Sequence, residues 1–261
     1  MGHTLLISGP PGCGKTTWIC QRLQAHRGPR AYLRLGGFGD EGQQQARDGG
    51  IDAAVLQDRV DNLLDLANPD HALAPRPDNL LALIEVPQFQ PPSASGPDGI
   101  DRRLIPALDA HHLVPDAHLH FGRDRELPAQ DTLDFRRLES WWHNLSGTVW
   151  DPASLSSFWF ELVNGAYGDV YRAKALFNLP DGRGFFFNWM VSQSGSQFEP
   201  LTAVAPPQGR PARLSRLVVQ GKALASGGIE TTLSDCLLSD AALELQQAAL
   251  RLPVPQPSAA S

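Results

Sequence analysis

Paired cysteines, massed basic residues and long apolar runs are all missing from this sequence of 261 residues. Its three cysteines, Cys13, Cys20 and Cys236, are odd in number and form no CxxC pair, which excludes a disulfide framework and a thiolate zinc site. That usage fits a reducing cytosol. Lys and Arg number 22 against 28 Asp and Glu, giving a formal net charge of -6. A broad nucleic-acid footprint needs clustered cations to neutralise phosphates, so nucleic acid is not an expected partner. No apolar run approaches the roughly 18 residues of a membrane span. Met1 leads straight into an apolar strand with no basic leader, so a soluble cytoplasmic protein without membrane contact is expected.

What remains is globular. The apolar fraction is 42% and the charged fraction 19%, while 22 prolines and 24 glycines imply many turns. The length suits an α/β domain of about 130 to 150 residues plus a smaller one. "TLLIS" at 4–8, "AYLRL" at 31–35, "NLLALIE" at 79–85 and "AHLHF" at 117–121 read as strands. Helices are expected from Lys15 to about His26, stopped by Gly28 and Pro29, and across "DAAVLQDRVDNLLDLA" at 52–67. Strands alternating with helices predict a doubly wound parallel sheet. Residues 86–103, rich in Pro, Gly and Ser, form a long loop. Beyond about residue 135 the pattern changes. "FRRLESWWHNL" and "LSSFWFELVNG" read as helices, "DVYRAKALFNLPDGRGFFFNWMV" as a hairpin around Pro-Asp-Gly, "RLVVQ" as a strand and "GIETTLSDCLL" as a helix. The expected division is a nucleotide-binding domain at 1–135, a helical linker at 136–156, a small α+β domain at 157–240, and a terminal helix and unstructured tail at 241–261.

The chemistry is concentrated in "GPPGCGKTT", residues 9–17. Gly9, Gly14, Lys15 and Thr16 occupy every fixed position of GxxxxGK[ST] between a strand and a helix, which predicts a P-loop. Glycines, Gly12 among them, let backbone N–H groups converge on phosphate oxygens. Pro10, Pro11, Cys13 and Thr17 complete the cradle, with no catalysis assigned to Cys13. Lys15 is expected to neutralise the outer phosphates and Thr16 to offer its hydroxyl to Mg²⁺. A carboxylate at the end of a neighbouring strand should help hold the metal, and Glu85 ends "LLALIE" at that edge. Asp40 is a further metal candidate, with Glu41 and Asp52 as loop acids near it.

These pieces together resemble the CobW-like family of P-loop GTPases, over about residues 1 to 240. "GPPGCGKTT" fits closely, "GGFGDEG" partly, and "LLALIEVPQ" carries Glu85 at the strand-end position. "GDVYRAKALFNLPDGRGFFFNWM" is similar to the family's distal strand pattern. The resemblance implies a P-loop NTPase fold with a small C-terminal domain, GTP and Mg²⁺ as ligands, slow hydrolysis, and a regulatory or metal-homeostasis role exercised through a client protein. It also implies that Asp124, in "FGRD", reads the base. The family's CxCC metal motif is absent, so soft-metal transfer through it is excluded. Gln88 stands where the family's ExxG glycine would sense the terminal phosphate. An ATP-dependent phosphotransferase and a non-catalytic module stabilised by nucleotide are the alternatives.

Three other clusters have two readings each. His111, His112, His118 and His120 could form a metal site, or be polar residues at a strand entrance. Trp141, Trp142, Phe158, Trp159 and Phe160 could face a partner or seal a domain interface. Arg172 and Lys174, alternating on one strand face, could approach a phosphate or face water.

Overall fold

The structure, a computed structural model, describes residues 2–35, 49–72, 77–87, 100–127, 138–193 and 195–251. "GGFGDEG", with Asp40 and Glu41, lies outside them, as do Gln88 and the tail from 252.

The first half builds one parallel sheet. Its strands are β1 (His3–Gly9), β2 (Arg30–Arg34), β3 (Leu63–Asp65), β4 (Leu81–Pro87) and β5 (Ala117–His120), in the order β3-β2-β4-β1-β5. Helix α1 (Lys15–Ala25) follows β1, α2 (Gly49–Arg59) lies before β3, α3 (Pro69–Ala72) before β4, and α4 (Ile105–Ala110) before β5. All seven residues of β4 are buried, as the continuous apolar run requires for a central strand. Alternation along the strands feeds two cores. Leu6, Leu33 and Ile84 pack with Leu104 and Leu108 on one face. Ile7, Tyr32 and Leu83 pack with Ile19, Leu23 and Leu56 of α1 and α2 on the other. Helical layers on both faces make this the expected doubly wound domain.

The expected helix over 52–67 is shorter and earlier. It ends at Arg59, and Asn62 takes a left-handed conformation (φ 54°) that turns the chain into β3, where Leu63 and Leu64 pair with Arg30 and Ala31. Asp52 therefore belongs to a helix's first turn and not to a loop.

The second half forms an antiparallel sheet from β6 (Glu139–Asn144), β7 (Asp169–Asn178), β8 (Gly184–Met190), β9 (Gln197–Pro200) and β10 (Arg216–Lys222), ordered β6-β10-β7-β8-β9. Helices α5 (Pro152–Val163), α6 (Ser226–Cys236) and α7 (Asp240–Arg251) accompany it. "FRRLESWWHNL", expected as a helix, supplies β6, so the interval 136–156 is not a helical linker. Its adjacent tryptophans explain the difference. Trp141 packs into the core shared with α5 and Trp142 into the opposite one, which suits a strand covered on both sides. The Pro-Asp-Gly hairpin forms as expected: Leu179 N–H donates to Arg183 O at 2.9 Å, with Gly182 at φ 84°. Trp150, Phe158, Trp159, Phe177 and Phe187 fill this domain's own core, while Phe160 is exposed. The aromatic cluster is thus mostly internal, and of its members Trp142 meets α2 residues. Among the described residues, no helix is long and apolar enough to cross a membrane.

Candidate nucleotide site

Register brings the candidate residues together. Opposite Glu85 stand Ile7 of β1 and Arg34 of β2, so all three point to the sheet face that α1 and α2 cover. Glu85 is buried, and its Oε2 accepts a hydrogen bond from the Tyr32 hydroxyl at 2.7 Å. Its Oε1 lies 3.9 Å from Lys15 Nζ and 3.7 Å from Arg34 Nη1. Burial first, and then the Glu85 and Asp52 charges, push the Tyr32 hydroxyl well above its ordinary pKa, so it remains a donor.

The loop between β1 and α1 has the shape its glycines predict. Gly12 and Gly14 adopt φ values of 82° and 89°, a left-handed conformation that side chains disfavour. Gly14 caps α1, whose first residue is Lys15. The buried Lys15 ammonium folds beneath the loop and donates to Gly9 O at 2.9 Å and Pro10 O at 2.8 Å, with Cys13 Sγ at 3.8 Å. A Cβ on Gly12 would lie 1.7 Å from Met190 Cε, so the second sheet sits directly on this loop.

Asp52 is the hub of the site. Its Oδ1 accepts from the Thr16 hydroxyl at 3.3 Å and from Lys174 Nζ, while Oδ2 accepts from Arg34 Nη1. Burial works against the charged form, but Lys174 and Arg34 outweigh it and hold the carboxyl well below the usual carboxylate range. A cleft of about 150 Å³ opens here, lined by Pro11, Gly12, Gly14, Lys15, Thr16 and Thr17 from the loop and α1, and by Glu85 and Asp52. Arg172, Lys174, Phe186 and Asn188 form its far wall. Small-molecule sites usually exceed about 300 Å³, so the enclosed part alone is small for a whole nucleotide. Lys15, Arg34, Arg59, Arg172 and Lys174 outnumber Asp52, Glu85 and Glu199 around it, which favours an anion. The oxygens of Thr16, Glu85 and Asp52 are hard donors that suit Mg²⁺.

The remaining candidates lie elsewhere. Asp40 is outside the described residues. Asp124 does not line the cleft; its Oδ2 accepts from His120 N–H at 2.7 Å, and Arg123 binds both its oxygens, at 2.8 and 2.6 Å. His118 and His120 lie on the other face of the sheet, where Ser8 Oγ is 2.6 Å from His118 Nε2 and 2.7 Å from His120 Nδ1. Among the described residues, no three His, Cys, Asp or Glu side chains gather as a metal site. Arg172 and Lys174 are buried in the cleft wall and not solvated.

No family model and no curated protein matches the sequence. Two solved structures match along most of the chain. The zinc-bound YjiA GTPase from E. coli is 11% identical, with 90% of this chain and 98% of that chain covered and a TM-score of 0.32. A zinc-bound triple mutant of YjiA is 10% identical, with 90% and 99% covered and a TM-score of 0.31. Likeness at this level assigns no residue a role. The α/β fold rests on the sheet order and on the loop that β1 delivers into α1.

Sequence reasoning missed Arg34 and Tyr32 and placed Asp52 wrongly. The available signal for the first two was alternation: on β2, Tyr32 and Arg34 interrupt the apolar Ala31, Leu33 and Leu35 on the face opposite them.

Proposed function

We propose that this chain is a Mg²⁺-dependent nucleotide-binding protein that binds GTP and hydrolyses it slowly, in the manner of the CobW-like family its motifs resemble. Its role would be regulatory or tied to metal homeostasis, with the second domain meeting a client protein. The observation that carries the reading is the left-handed Gly12 and Gly14 turn with Lys15 folded beneath it, Thr16 bonded to buried Asp52, and Glu85 in the same cleft. Backbone N–H groups of that turn would take phosphate oxygens. Lys15 would exchange the carbonyls of Gly9 and Pro10 for the outer phosphates and stabilise charge on the transferred group. Thr16 and Glu85 would hold Mg²⁺, with Asp52 as an additional oxygen donor beside them; the ion would supply neutralisation of phosphate charge. Guanine preference rests on the family resemblance, which makes Asp124 the base reader.

Calorimetry with Mg²⁺ tests this directly. Lys15→Ala is expected to abolish binding of GTP and ATP, and unchanged affinity for both would refute the assignment. An ATP-dependent phosphotransferase is the rival, favoured by the commitment of the Asp124 carboxylate to Arg123 and the His120 amide. Competition between GTP and ATP separates the two.

A further inference from the structure

The second sheet presents a face of two characters to the first domain. Cross-strand partners share a face in a sheet, and Arg172 stands opposite Met190, Lys174 opposite Asn188, and Leu176 opposite Phe186. At one end of this face, Leu176, Phe186 and Val218 pack on Ile51 and Val55 of α2, which is enough to hold two domains together. At the other end the same face turns polar, with two buried cations directed at the cleft. Lys174 is paired there with Asp52 and Arg172 is bonded to Gln220, so both cations are built into the cleft wall, a placement that an adhesive interface alone does not require.

We propose that Lys174 and Arg172, carried into the cleft by β7, bind the terminal phosphate of a nucleoside triphosphate, so that the second domain distinguishes triphosphate from diphosphate. This rests on the nucleotide-binding reading above and adds the residues that sense the last phosphate. Lys174 Nζ and Thr16 Oγ1 meet on one oxygen, Asp52 Oδ1, so the ammonium stands beside the hydroxyl proposed for the metal. Met190, the cross-strand partner of Arg172, rests on Gly12, which brings that strand pair against the loop. Exchange is cheap for Asp52. When Lys174 moves to a phosphate, the carboxylate keeps Arg34 and the Thr16 hydroxyl, and the doubly charged phosphate is the stronger partner. Arg172, hydrogen-bonded to Gln220 at 3.0 Å, is held in the cleft wall by its own sheet.

The test is calorimetry with Mg²⁺ on the full chain, using GDP and the non-hydrolysable β,γ-imido analogue of GTP. Lys174→Ala is expected to weaken the analogue by about tenfold or more while GDP changes by less than about twofold. Arg172→Gln should move the ratio in the same direction, and Lys174→Arg should restore most of it. Thermal melts identify a variant that fails to fold, in which case Arg172→Gln and Lys174→Arg decide. Equal weakening of both ligands would make the two residues interface supports and overturn the proposal, as would an unchanged ratio. If the wild-type chain bound neither ligand, the nucleotide-binding reading would fall and this inference with it. A wild-type preference for triphosphate that survives both neutral substitutions would sink this inference alone.

Discussion

Replacing Asp52 by Asn probes the junction at which the two sheets meet. The carboxylate is 1% exposed and is shared by Lys174, Arg34 and the Thr16 hydroxyl. Asn keeps the shape and deletes the charge, so buried Lys174 loses its carboxylate partner and half-buried Arg34 is left with Glu85 at 3.7 Å. Breaking a buried pair from one side costs about 3–5 kcal/mol. For a chain of this size each kcal/mol lowers the melting midpoint by roughly 2–4 °C, so a fall of about 6–20 °C is expected at pH 7. The pH dependence has a definite sign. The folded pKa of Asp52 lies below the unfolded value of about 3.9. Its contribution is therefore complete above that value and is lost only as the pH falls through the lower folded one. The gap between wild type and variant should be flat from about pH 5 to 8 and narrow only in stronger acid. Urea unfolding followed by tryptophan fluorescence reads it, with Lys174→Met and the double variant completing a cycle. Removing Lys174 relieves one of the stranded cations, so the double variant should lose less than the sum of the singles, by about 1 kcal/mol or more. A variant within about 1 kcal/mol of wild type, or strict additivity, would refute the hub.

Three further substitutions test separate parts of the site. Tyr32→Phe removes the 2.7 Å donor to buried Glu85 and should cost about 1–3 kcal/mol in the same urea assay, because that carboxylate oxygen loses a partner no water replaces. His120 is held neutral, its pKa lowered to about 4 by burial first and by His118 and Arg123 after it. A His with a depressed folded value stabilises fully above its unfolded pKa of about 6.5 and loses that contribution as the pH falls toward 4. Unfolding free energies across this window should slope downward in the wild type and flatten in His120→Gln. Gly12→Ala should cost about 1–3 kcal/mol in thermal melts, from the positive φ and the encounter with Met190 Cε. In that background Met190→Ala should destabilise less than it does alone, and an equal loss would count against the contact.

The glycine turn between β1 and α1 was legible because its spacing is a backbone requirement. Gly12 and Gly14 stand where a left-handed turn is needed, and no distant contact enters the inference. Glu85 stood out as the one acid in a continuous apolar run, near the carboxyl end of a strand that continues through Val86 to Pro87. Asp52 was not, because its partner Lys174 lies 122 positions away and no local pattern announces the pairing. The same holds for Arg172 and Lys174: alternation placed them on one face, but only the packing of α2 decides that this face is buried. β6 was misread because adjacent tryptophans fit a helix as well as a strand covered on both faces, and the pairing with β10 decides between them. The end of α2 was missed because Leu63 and Leu64 continue its apolar rhythm, and the left-handed Asn62 that breaks it is a tolerated conformation and not a required one.

The junction between the domains runs through α2. At its first turn Asp52 binds Lys174, along one face Ile51 and Val55 pack with Leu176, Phe186 and Val218, and at its end Arg59 pairs with Glu199. Next to Arg59, Asp58 accepts backbone N–H groups from Thr202 and Ala203, at 2.8 and 3.0 Å. The helix is thus fastened to the second sheet at both ends and along its apolar face. Interfaces packed this closely shift as units, because their side chains have few intermediate arrangements. The first turn also meets Thr16, whose hydroxyl bonds to the same carboxylate oxygen as Lys174. Thr16 and the second sheet thus share one carboxylate oxygen, and α2 connects that oxygen to β9 and the segment that follows.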